Sequence, residues 1–159
     1  MNKAKSFFIK SFGCQMNVYD SDKMNDIFVS HGLQSTNDYQ DADYIVLNTC
    51  HIREKATDKV YHDIGRIKKE FRNKKKPIVL IAGCVAQAEG EVLLKKEKYI
   101  DAVIGPQSYH EINNMILNLE NNAKPINFTE FDVIHHIAGS CHNFHSRGGA
   151  NCLCMTLLK

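Results

Sequence analysis

The sequence predicts an α/β domain: a five-stranded parallel sheet in the flavodoxin-like order 2-1-3-4-5, with helices on both faces. Three observations carry this. Short apolar runs alternate with stretches of helical periodicity, the pattern of strand–helix–strand units. The runs at 44–48 and 78–82 are apolar almost throughout, as suits strands buried on both faces. Three of the runs also end alike, each meeting a cysteine just before a helix: Gly13-Cys14, Thr49-Cys50 and Gly83-Cys84.

In order, the first strand covers about 6–11. The helix after it is expected to begin near Asp20 or Ser21, both good N-cap types. Its inward face is Met24, Ile27, Phe28 and His31, and Gly32 ends it. Residues 33–36 form a weak second strand, followed by a polar turn at 37–41. The third strand, 44–48, precedes the helix with the clearest stripe, Ala56, Val60, Ile64, Ile67 and Phe71. Arg53, Glu54, Lys55, Asp58 and Lys59 lie opposite that stripe. Lys74, Lys75 and Lys76 suit the negative end of the helix dipole, and Pro77 stops continuation.

The fourth strand is 78–82. The helix after Cys84 is expected to turn Ala88, Val92 and Leu93 inward, with Gly90 as a weak point. Residues 102–104 are the fifth strand, and Gly105-Pro106 turns the chain. Ser108 and Glu111 have capping-box spacing ahead of a last stripe, Ile112, Met115, Ile116 and Leu119. The domain is therefore placed at 1–122. Residues 123–159 show no strand–helix rhythm and are expected to be a linker and an atypical, poorly ordered tail.

The chain has 159 residues, 43% hydrophobic and 24% charged, with a net charge of +2. That is an ordinary globular composition, sufficient for one core. The slight basicity permits contact with nucleic acid without arguing for it. No apolar run approaches the ~20 residues of a membrane span. The apolar stretch after the basic N-terminus is too short for a signal peptide, so the expected location is the cytoplasm. Disulfides are disfavoured there, and the six cysteines point instead to metal binding or catalysis.

In the order 2-1-3-4-5, strands one, three and four are neighbours, and ligands bind beyond the carboxyl ends of such strands. At ~4.8 Å per strand, the loops bearing Cys14, Cys50 and Cys84 span about 10 Å. Any one of these cysteines alone would read as core filling. Three soft thiolates together suit either zinc, with His51 as fourth ligand, or a 4Fe–4S cluster with one open iron. A flavin or nucleotide site is the rival reading. It lacks a Ser/Thr-rich loop after the first strand, and Gly83-Cys84-Val85-Ala86-Gln87 lacks Walker spacing and lysine. His62 and the lysines at 74–76 read as surface. In the tail, Cys152 and Cys154 with His142 and His145 match no zinc-finger spacing.

Three motifs in order are recognisable: Ser11-Phe12-Gly13-Cys14-Gln15-Met16-Asn17, then Asn48-Thr49-Cys50 with Ile52-Arg53-Glu54-Lys55-Ala56, then Ala82-Gly83-Cys84-Val85-Ala86-Gln87. Over residues 5–122 the chain closely resembles the N-terminal domain of the radical-SAM tRNA methylthiotransferases, in the branch acting on N6-dimethylallyladenosine. The resemblance implies an auxiliary 4Fe–4S cluster on Cys14, Cys50 and Cys84, holding the sulfur or methylthio group to be inserted. It implies methylthiolation of adenosine C2 beside the anticodon, with tRNA as partner. In the family a second domain supplies S-adenosylmethionine and a second 4Fe–4S cluster, on Cys-x-x-x-Cys-x-x-Cys. Cys141, Cys152 and Cys154 do not have that spacing. The expectation is thus a truncated or frame-shifted, monomeric chain, inactive alone. The alternative is a non-catalytic 4Fe–4S-binding fragment or interaction module.

Overall fold

The computed structural model describes residues 5–12, 15–50, 56–121 and 125–129. Its strands are β1 (Ser6–Phe12), β2 (Gln34–Ser35), β3 (Tyr44–Thr49), β4 (Ile78–Gly83), β5 (Ala102–Ile104) and β6 (Ile126–Phe128). All pair in parallel, in the order β2-β1-β3-β4-β5-β6. The α/β class and the order of the first five strands match the sequence expectation, but the sheet has six strands rather than five. The sixth is a three-residue edge strand behind Pro125, each residue only half-buried. Its alternation Ile-Asn-Phe is too short to stand out as a period. It lies past residue 122, in the stretch where the sequence shows no rhythm.

The helices are α1 (Gln15–Ser30), α2 (Ala56–Glu70), α3 (Cys84–Lys96) and α4 (Ile112–Asn121). Helices α1 and α4 cover one face of the sheet, over Phe7, Tyr44, Val46 and Leu80, with Met24, Phe28, Met115 and Ile116 packed between. Phe7 and Phe28 stack with ring centroids 4.9 Å apart. Helices α2 and α3 cover the other face, over Ile45, Leu47, Val79 and Ile81, through Val60, Ile64, Ile67, Val85 and Leu93. The period-2 alternation of β3 thus feeds two cores at once.

Three local expectations need correction. Helix α1 begins at Gln15, not at Asp20 or Ser21. Those cap-type residues lie inside the helix and use their side chains on other elements, as shown below. Helix α3 buries Val85, Ala86, Gly90 and Leu93, while Ala88 and Val92 are exposed. Gly90 is a point of close approach: a Cβ there would lie 3.1 Å from Val103 Cγ2 and 3.1 Å from Thr129 Cγ2. Ser108 sits within a 3-10 turn, Pro106–Glu111, that leads into α4, so it does not start that helix. The end of α1 is as expected. Gly32 has φ +88°, with Leu33 N–H on Phe28 O and Gly32 N–H on Val29 O, both bonds of a Schellman motif.

Candidate metal centre

The carboxyl ends of the three central strands are level. Phe12 of β1 pairs in register with Thr49 of β3, and Thr49 pairs with Gly83 of β4. Cys50 follows Thr49 and Cys84 follows Gly83, so two of the three predicted cysteines stand at equivalent places on neighbouring strands. Cys50 is buried and Cys84 exposed, and both thiols are free. Cys14 lies outside the described residues, between Phe12 and the first residue of α1. His51, Cys141, Cys152, Cys154, His142 and His145 also lie outside them. Among the described residues alone, no group of three His, Cys, Asp or Glu side chains could hold a metal ion.

Backbone geometry around the two described cysteines is specific. Gly83 has φ 91° and ψ −164°, a region open essentially to glycine. A Cβ on it would fall 2.5 Å from Thr49 O and 2.7 Å from Asn48 Oδ1. Cys84 is the first residue of α3, where free amide N–H groups and the helix dipole favour negative charge. Cys50 N–H donates to Phe12 O at 3.2 Å, tying the end of β3 to the end of β1.

Beneath this edge lies a polar network. Asn48 is fully buried. Its Nδ2 donates to Asn17 O at 2.8 Å and to Ser21 Oγ at 3.0 Å. Asn17 Nδ2 donates to Asn48 Oδ1 at 3.4 Å and to Phe12 O at 3.3 Å. Thr49 Oγ1 donates to Ala82 O at 3.2 Å. Buried Tyr109 donates its hydroxyl to Asp20 Oδ2 at 3.3 Å. Burial holds the Asp20 carboxyl above its usual range, against the opposing pull of the Tyr109 hydrogen bond and Lys23. Burial likewise pushes the Tyr109 hydroxyl up, helped by Asp20 and by the nearby Cys84.

Sequence reasoning assigned no role at this site to Asn17, Asn48 and Tyr109, and read Asp20 and Ser21 only as helix caps. The available signal was Asn48, a polar residue ending an otherwise apolar run. Two cysteine thiols on adjacent strand ends, a helix N-terminus, and a glycine cradle with no room for a side chain are chemistry compatible with a soft metal or cluster. A surface groove of about 250 Å³ lies at the opposite end of the strands, lined by Lys5, Asp43, Tyr44, Lys74, Lys75 and Pro77. It takes no part in this site.

Residues 6–105 match the family described as "Uncharacterized protein family UPF0004". The chain is 61% identical over 130 residues to a tRNA-2-methylthio-N(6)-dimethylallyladenosine synthase of Pelagibacter ubique (strain HTCC1062), covering 82% of this chain and 29% of that protein. Synthases of the same name from Rickettsia typhi and Cereibacter sphaeroides are 51% and 45% identical. They cover 71% and 86% of this chain, and 26% and 32% of their own lengths. The chain therefore spans about a third or less of these relatives. With residues 6–105 matched, across most of the sheet, the chain belongs to family UPF0004, and the relatives it resembles over most of its length are tRNA-2-methylthio-N(6)-dimethylallyladenosine synthases.

Proposed function

We propose that this domain holds an auxiliary 4Fe–4S cluster on Cys14, Cys50 and Cys84. The protein it serves methylthiolates C2 of N6-dimethylallyladenosine beside the anticodon of tRNA, in the cytoplasm. S-adenosylmethionine and the second 4Fe–4S cluster belong to that whole activity and not to the site described here. The observation that carries this reading is the level row Phe12, Thr49 and Gly83, from which the chain runs into Cys50 and Cys84 on adjacent strands.

When bound, a cluster held by three thiolates supplies one iron open to an exogenous sulfur ligand. The chain's own residues do the rest. Cys50, which is buried, and Cys84, which is exposed, would be two of the cluster's ligands. The first amides of α3 offer donors to a negatively charged group. Gly83 keeps the β4 end free of a side chain that would displace the β3 carbonyl.

Anaerobic reconstitution of the chain with ferrous iron and sulfide tests this. About four irons per chain and brown charge-transfer absorbance are expected. Cys50→Ser and Cys84→Ser should each lose most of the iron. A wild-type chain that takes up none, or a Cys50→Ser chain that takes up as much as wild type, would overturn the proposal. A yellow preparation carrying flavin would favour the flavodoxin-like rival.

A further inference from the structure

The position of Asn48 is unusual for its residue type. It is the next-to-last residue of β3, and its two predecessors on the same face, Tyr44 and Val46, are core residues under α1 and α4. An apolar side chain would fill that place without a hydrogen-bonding requirement, whereas a buried amide must be matched or costs several kcal/mol. Among the described residues, Asn48 is matched by one element only: both Nδ2 donors and Oδ1 engage Asn17 and Ser21 of α1.

What those bonds fix follows from the chain order. The first turn of α1 comes directly after position 14. Phe12, on the other side of position 14, accepts from both Asn17 Nδ2 and Cys50 N–H. Both flanks of position 14 are thereby fastened to the end of β3, two residues or fewer from Cys50. The same amide oxygen is what a Cβ on Gly83 would strike, so the β4 end leading to Cys84 closes on it from the other side.

We propose that Asn48 is a positioning residue: its buried amide pins the first turns of α1, which follow position 14, to the end of β3 that leads into Cys50. The inference rests on the cluster reading above. It predicts that Asn48 governs how firmly the trio grips its guest, without touching that guest.

The test is Asn48→Leu in the full chain, with Ser21→Ala as a milder variant that removes one bond from the network's outer side. Reconstituted protein is challenged with an iron chelator and the decay of absorbance is followed. Residues that orient metal ligands typically change affinity about 10–100-fold. Asn48→Leu should therefore lose its cluster about tenfold faster under conditions where urea titration shows it still folded, at whatever midpoint, with Ser21→Ala in between. A second arm uses iron-free protein: diamide oxidation, with peptide mapping of the Cys14–Cys50 disulfide. Asn48→Leu should form that disulfide several-fold more slowly. Unchanged cluster decay and unchanged disulfide formation in folded variants would overturn the inference. Should the wild type take up no iron, the cluster reading fails, and the disulfide arm still decides the role of Asn48. Should Asn48→Leu not fold, Ser21→Ala decides in its place, by slower cluster loss or disulfide formation against no change.

Discussion

At the carboxyl end of the sheet Tyr109 donates to Asp20 of α1, at 3.3 Å; at the amino end Tyr44 donates to Glu120 of α4, at 2.8 Å. Both tyrosines are buried against the same face. The carboxylates respond in opposite directions. Burial raises Asp20. Glu120 is lowered, first by the hydrogen bond from Lys5 Nζ at 2.6 Å and also by Tyr44, against burial. The amino end is laced with solvent-facing ion pairs, Lys5–Glu120, Lys74–Glu70 and Lys76–Asp101. The carboxyl end is held by buried amides, hydroxyls and a glycine, each with a specific neighbour. Exchangeable ion pairs make a tolerant end. Individually matched buried groups make a brittle one, and the cysteines sit on the brittle one.

The largest expected contrast is between two glycines of nearly equal φ. Gly32 (φ +88°) closes α1 at the amino end, and a Cβ there would meet nothing within 4 Å. Gly83 (φ +91°) stands at the carboxyl end, where a Cβ would meet two oxygens under 3.0 Å. Gly32→Ala should cost about 1–2 kcal/mol, from backbone conformation alone. Gly83→Ala adds a clash with a strand carbonyl and should cost roughly 2–5 kcal/mol. Urea unfolding of both variants checks this; equal shifts in midpoint would mean that the carboxyl end relaxes as freely as the amino end.

Tyr109→Phe is next in size. Loss of its hydrogen bond should cost about 1 kcal/mol at neutral pH. The pH dependence carries more information. A carboxyl whose folded pKa is raised binds more protons folded than unfolded, so its contribution to stability falls as pH rises from the ordinary value of 3.8 through the raised one. Without Tyr109 the burial of Asp20 is less opposed. The falling window should then extend to higher pH, as read by urea midpoints across the acidic range. An unchanged profile would mean that the Tyr109 hydroxyl does not act on Asp20.

These same residues show what a sequence can and cannot reveal. The strands, their order up to β5, and the inward stripe Val60, Ile64 and Ile67 were legible because hydrophobic period is a local signal. The level strand ends followed from topology. The network did not: Asp20 and Ser21 carry the chemistry of helix caps, and only tertiary partners reveal that their side chains serve Tyr109 and Asn48. Gly90 misled for a related reason. As a helix residue it is a poor former, but next to β5 and β6 its missing side chain is what lets α3 approach. Strand β6 was too short to show a period, and its pairing with β5 is a long-range fact.

Lys5→Met is the smallest expected effect, and it completes the contrast. Lys5 is half exposed, and such ion pairs are worth about 0.2–1 kcal/mol. Added salt should shrink the difference from wild type further. The sign with pH runs opposite to that at Asp20. A carboxyl whose folded pKa is lowered contributes stability above its ordinary value, 4.5 for Glu120, and loses it as pH falls through the folded value. The wild type should therefore exceed Lys5→Met at neutral pH and converge with it in acid, where Glu120 is protonated in both. If the difference persisted in acid, or were insensitive to salt, Lys5 would be acting through the packing of its aliphatic stem rather than its charge. The amino end would then depend on shape as the carboxyl end does.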